Sequence, residues 1–190
     1  MTKRRLINLV SKVVPGAMMI GSGLLLTSCF DDGDSKAETY KEWKTRNEQY
    51  LTNAMDSTDA DGGPFYEMII PSWAPNTYVL IHWHNDRSLT QNNLSPMDNS
   101  TVSITYELLD IDGKELSTSF TNPDSLYTSK PSSNIIGVWA GLNHMNVGDS
   151  VTMVIPSQAG YGEYSNGSIP PYSTLIYNIK MKAIPAYEVP

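Results

Sequence analysis

The 190 residues contain one cysteine, Cys29, and three histidines, His82, His84 and His144. A single cysteine excludes an intramolecular disulfide and any cysteine-based zinc site. His82 and His84 alternate in HWH and would share one face of a strand, as two metal ligands would. A third ligand is hard to find, since His144 is distant in sequence and Asp86 has loop-like surroundings. The pair is therefore expected to be two strand histidines without a metal. No G-x-S-x-G elbow and no glycine-rich phosphate loop occurs. Most acidic residues fall in tether, helix or turn compositions, which gives little support to a carboxylate pair for glycoside hydrolysis.

Positive charge is scarce outside the N-terminus. Residues 1–28 hold four of the 13 Lys+Arg and none of the 20 Asp+Glu, leaving a formal charge of about −11 beyond them. Such a surface repels phosphate backbones, so nucleic acid is not an expected partner. Long apolar runs are also missing, except the one from about Val13 to Leu26. It follows Lys3, Arg4, Arg5 and Lys12, and it is too short and glycine-rich to read as a membrane span. The order of basic residues, apolar run, Leu26-Thr27-Ser28 and Cys29 resembles a bacterial lipoprotein signal. That resemblance implies removal of 1–28, lipidation of Cys29, and a membrane anchor in the bacterial cell envelope. An outer-membrane site is expected, with the periplasmic or surface face left open. Residues 29–37 read as an acidic tether, and FDDGDSKA also resembles a surface-export signal.

Beyond the tether, residues 38–56 predict a helix. Tyr40, Trp43, Tyr50, Leu51, Ala54 and Met55 share a face, with charges between them. Residues 57–64 read as a linker, and a domain is expected over 65–190. There the pattern turns to strands: FYEMIIP, TYVLIHWH, STVSITYELLD, VTMVIP and STLIYNIKMKAI are short, β-branched or aromatic, and bounded by turn residues. Asp112-Gly113 is a hairpin turn. One short helix is expected, roughly from Ile136 to His144. The fold class is α+β: an antiparallel sheet against one short helix, with an extra N-terminal helix.

GYGEYSNGSIPP, residues 160–171, is longer than a plain hairpin loop and is bracketed by an aromatic residue and an isoleucine. Together with VSITYELLDIDGKELSTS and IIGVWAGLNHMNVGDSVTMVIP, this stretch resembles the FKBP-type peptidyl-prolyl cis-trans isomerases over about residues 102–184. The resemblance implies a bent antiparallel sheet wrapped on one short helix, with an apolar prolyl pocket between them. It implies proline-containing polypeptides as partners, and neither cofactor nor metal. By position it makes Tyr161 and Ile135 the catalytic donors, through a hydroxyl and a main-chain amide. The pocket falls to Tyr106, Leu116, Ser117, Val138, Ile169 and Tyr177. Val138 stands where the family has a tryptophan, and Trp139, one position later, reaches the floor only if the helix start shifts by a residue. Ser117 stands where the family has an aspartate, Leu116 where it has an aromatic, and Leu108 where it has a glycine. These departures imply a roomier, less polar pocket and slow catalysis, or a binding module without turnover.

Overall fold

The computed structural model describes residues 32–188. The expected signal segment, residues 1–28, and Cys29 lie outside them. Helix α1 spans Asp32–Met55, so it starts six residues before the expected 38 and takes in most of the segment read as a tether. No glycine or proline interrupts the run after Gly33, and nothing in those residues stops a helix from propagating backward. Seven strands follow: β1 Glu67–Ile69, β2 Val79–Trp83, β3 Thr101–Leu109, β4 Glu115–Thr118, β5 Tyr127–Ser129, β6 Ser150–Ile155 and β7 Leu175–Ala186. Helix α2, Ile136–His144, lies between β5 and β6. Both helix assignments and the main strands agree with the sequence pattern. Strand β5 was not expected, because YTS is too short to carry a period.

All pairings are antiparallel. The sheet runs β1-β2-β6-β7-β3-β4, and β5 also pairs with β3, at the opposite end from β4. Alternation divides each strand between two faces. On the inner face Val79, Ile81, Ile104, Val151, Met153, Ile155, Ile179 and Met181 pack with Val138 and Leu142 of α2. On the outer face Leu80 and Val154 meet Leu51 and Ala54 of α1, with Tyr50, Tyr66 and Tyr78 around them. From Asp32 onward the chain therefore forms one compact unit that includes α1.

Next to the α1 contact, the outer face carries a hydrogen-bonded row across β6, β7 and β3, joined by His84 just after β2. Thr152 donates to Asn178 Oδ1 at 2.7 Å, and Asn178 donates to Glu107 Oε2 at 3.0 Å. Thr152 has a single hydroxyl proton, so it accepts from His84 Nε2 at 2.8 Å. His82 Nδ1 meets the Phe65 carbonyl at 3.0 Å, and its ring stacks on Phe65 at 3.9 Å. Burial and the neighbouring His82 push His84 below the ordinary histidine range. Both histidine side chains thus have protein partners, Phe65 for His82 and Thr152 for His84. Among the described residues no group of three or more His, Cys, Asp or Glu could hold a metal ion.

Two glycines set how closely α2 approaches the sheet. A Cβ on Gly137 would stand 2.4 Å from Ile155 Cγ2, and one on Gly141 would stand 2.4 Å from Met153 Cε and Sδ. The two obstacles differ, since a thioether tip swings aside while a β-branched side chain does not. Gly137→Ala is expected to lose roughly 1–2 kcal/mol in urea unfolding, with overpacking outweighing the gain in helix propensity. Gly141→Ala is expected to lie within about 1 kcal/mol of the native protein. Equal losses at both positions would count against this account of the interface.

Candidate active site

The inner face of β3 and β7, the start of α2 and the 160–171 loop enclose a cavity of about 370 Å³. Its floor is Val138, 3 % exposed, flanked by Ile104, Leu108 and Ile179. Tyr106 and Tyr177 form one wall, with ring centroids 5.9 Å apart. Tyr127 of β5 closes the edge, lying against Tyr106 edge-on at 5.5 Å. Tyr161 and Ile169 line the side formed by the loop, and Ser133, Asn134 and Ile135 line the side at the start of α2. No lining residue carries a formal charge.

Each side chain is placed by local sequence. Gly162 and Gly167 have φ of +66° and +57°, a region that L side chains rarely adopt, and they let the loop turn after Tyr161 and before Ile169. Within it, Asn166 and Ile169 exchange main-chain hydrogen bonds of 3.0 and 2.9 Å, which tie the tip into a tight turn. Asn134 Nδ2 donates to Ser129 Oγ at 3.1 Å and to the Lys130 carbonyl at 2.7 Å, fixing the entry to α2. Ile135 precedes the helix in extended conformation. Its amide has no hydrogen-bond partner among the described residues. The Tyr161 hydroxyl is likewise unpartnered within them, as are those of Tyr127 and Tyr177, so several unpaired donors belong to residues lining an uncharged cavity.

Of the residues expected in the pocket, Tyr106, Ser117, Ile135, Val138, Tyr161, Ile169 and Tyr177 line one cavity, and Leu116 and Trp139 do not. Pairing joins Leu108 to Ser117 and then Leu109 to Glu115, so Leu116 is the extra residue of a β-bulge. Ser117 therefore takes the inward position, where its hydroxyl meets that of Tyr106 at 2.9 Å, and Leu116 packs on the core instead. Trp139 follows from helix geometry. At about 100° per residue it stands about 200° from Gly137, which faces the sheet. It therefore points away from the pocket, stacks on Trp73 at 3.9 Å, and donates from its indole to Asp98 at 2.7 Å. The helix start is not shifted, and Val138 forms the floor. Tyr127 was missed by sequence reasoning; the only signal was a tyrosine in a short polar stretch.

Burial, with Tyr161, Tyr106 and Tyr127 nearby, pushes the Tyr177 phenol well above the ordinary tyrosine range. The folded state thus holds its proton to higher pH than the unfolded state, whose phenol titrates near 10.0. Folding stability must then fall as pH rises above that value. Tyr50, Tyr66 and Tyr78, also raised by burial, act in the same direction. Tyr177→Phe is expected to make the loss of melting temperature above pH 10 shallower without removing it. An unchanged alkaline slope would contradict this assignment.

Comparison with known proteins agrees with this geometry. Residues 93–182 match the family described as FKBP-type peptidyl-prolyl cis-trans isomerase. The chain is similar to the FKBP-type peptidyl-prolyl cis-trans isomerase FkpA of Escherichia coli K12, 34 % identical over 88 residues. That match covers 46 % of this chain and 32 % of the relative, so the chain spans about a third of that relative's length. The crystal structure of FkpA from Escherichia coli superposes with a TM-score of 0.64 at 20 % identity, covering 82 % of this chain and 67 % of that one. A peptidyl-prolyl cis-trans isomerase from Pseudomonas syringae pv. tomato gives 0.59 at 19 % identity, covering 75 % and 93 %. At these identities the superpositions speak for the fold alone.

Proposed function

We propose, from the FKBP-type peptidyl-prolyl cis-trans isomerase domain that this chain carries, that it catalyses the isomerisation of X-Pro bonds in polypeptides of the bacterial envelope. The supporting observation is the uncharged cavity whose lining includes unpartnered donors, among them the Tyr161 hydroxyl and the Ile135 amide. Rotation about the prolyl bond crosses a barrier of roughly 18–20 kcal/mol, because amide resonance holds the planar form. It needs no nucleophile, metal or cofactor. A proline ring seated on Val138 between Tyr106, Tyr177 and Ile169 leaves water behind. Removing water from the carbonyl disfavours the charge-separated planar form, and the cavity supplies little polarity in exchange. The donors accelerate the reaction to the extent that they hold carbonyls better in the twisted state than in the planar one.

Two features support a slow catalyst. Val138 fills less of the floor than an aromatic residue would, and the Ser117 hydroxyl is occupied by Tyr106. The same features favour a second reading, a peptide-binding module that uses the cavity without turnover. Exchange NMR on a short X-Pro peptide separates the two. The native protein is expected to accelerate cis/trans exchange, and Tyr161→Phe to lower kcat/KM roughly three- to tenfold, the worth of one hydrogen bond. Ser117→Asp is expected to raise it. Peptide binding with no acceleration would leave the binding module as the function.

The envelope location and the lipid anchor are carried by the sequence of residues 1–29 alone. Incorporation of labelled palmitate is expected in the native protein and absent in Cys29→Ser. Equal labelling of both would remove the anchor from this proposal.

A further inference from the structure

The sequence of α1 reads as a helix packed on its own domain or spacing it from a membrane, with a partner helix as the alternative. The structure packs it on the sheet, and its buried face carries a polar residue in the middle of an apolar stripe. Asn47 is 1 % exposed. Its Oδ1 accepts the Thr174 amide at 2.6 Å, and its Nδ2 donates to the Trp43 carbonyl at 2.7 Å. One turn earlier, the Trp43 indole donates to Ser173 Oγ at 3.1 Å, and that hydroxyl in turn donates to the Pro170 carbonyl at 2.8 Å. Pro170 follows Ile169, which lines the cavity. Helix α1 is thus bonded to the segment carrying one wall of the cavity.

Tyr172, between these anchors, is held in an unfavourable conformation. Its φ is +61°, a left-handed backbone unusual for a bulky residue. Its amide donates to the Gly162 carbonyl at 2.8 Å, joining the two ends of the loop beside Tyr161. The Lys44 ammonium of α1 lies 4.5 Å from the centre of its ring. Strain of this kind persists only where the surroundings hold it, and here α1 supplies much of that hold.

We propose that α1 is a working part of the cavity, with Asn47 and Trp43 as positioning residues that keep Ile169 and Tyr161 facing each other. The kinetic consequence rests on the isomerase reading; the structural one does not. If the wall is ordered for only part of the time, apparent substrate affinity falls by that fraction, while the chemistry in the ordered state is unchanged.

The test uses the full chain in two variants. Asn47→Ala removes the acceptor for Thr174, and Trp43→Phe keeps a ring but removes the indole donor. Ala54→Gly loosens α1 at its contact with Leu80 and Val154 and serves as a control for lost stability alone. Hydrogen exchange at the Tyr172 amide is expected to accelerate about tenfold or more in Asn47→Ala, less in Trp43→Phe, and little in Ala54→Gly. KM for an X-Pro peptide is expected to rise roughly three- to tenfold in Asn47→Ala with kcat within about twofold. Should Asn47→Ala fail to fold, Trp43→Phe carries the comparison. Unchanged Tyr172 exchange in the folded variants, or an equal change in Ala54→Gly, overturns the proposal. Faster Tyr172 exchange in a protein whose native form shows no turnover supports the positioning role and removes the isomerase reading instead.

Discussion

The depth at which α2 sits on the sheet governs everything on the inner face. Gly137 lets the helix backbone approach Ile155 closer than a side chain would allow, and Gly141 lets it approach Met153 without displacing the thioether tip. That approach seals one end of the core, where Leu142 and Met145 are fully buried. It also leaves Val138 and Ile135 beside the inward tyrosines of β3 and β7. The cavity is the space between the start of the helix, β3, β7 and the 160–171 loop. Its volume therefore follows from two glycines and from the side chain at position 138.

The two faces of the sheet are coupled through strand alternation. Tyr177 faces the cavity, while its neighbour Asn178 joins the outer hydrogen-bonded row; Tyr106 and Glu107 divide in the same way. A shift in the register of β7 against β3 would move both sets at once. The long β3–β7 ladder, from Thr101 against Ala186 to Leu109 against Ile176, opposes such a shift. Helix α1 then adds a hold from the outer side, through apolar contacts at Leu80 and Val154 and through polar ones near Thr174. A buried asparagine among apolar residues is tolerated because its oxygen and its amide group both have partners.

The parts legible in the sequence were those with a period or a fixed order. Helix α2, the main strands and the Asp112-Gly113 turn came from pattern, and the Tyr161 to Ile169 loop came from the order of its residues. Residues set by pairing detail were not legible. Whether Leu116 or Ser117 lines the cavity depends on one bulge that no alternation pattern reveals. Strand β5 is held by pairing to Val102–Ile104 rather than by its own residues. The buried role of Asn47 is invisible in the helix's own sequence, because its partner lies in a segment 127 positions away.

Trp139 illustrates how little sequence displacement is needed to change a site. One residue along a helix is a rotation of about 100°, enough to move a large ring from the cavity floor to the outer surface. The rotation leaves the ring satisfied: it stacks on Trp73 and its indole reaches Asp98. Returning an aromatic side chain to the floor by slipping the helix would bring other side chains to positions 137 and 141 of the interface, where no Cβ fits without something shifting. The glycines therefore lock the register, and the register fixes a small aliphatic floor. A cavity with such a floor offers a proline ring room and dryness but few atoms to grip it. On the proposed reading, discrimination between planar and twisted substrate must then come from the side walls. These are Tyr106, Tyr161, Ile169 and Tyr177, and the wall carrying Ile169 is the one that α1 holds.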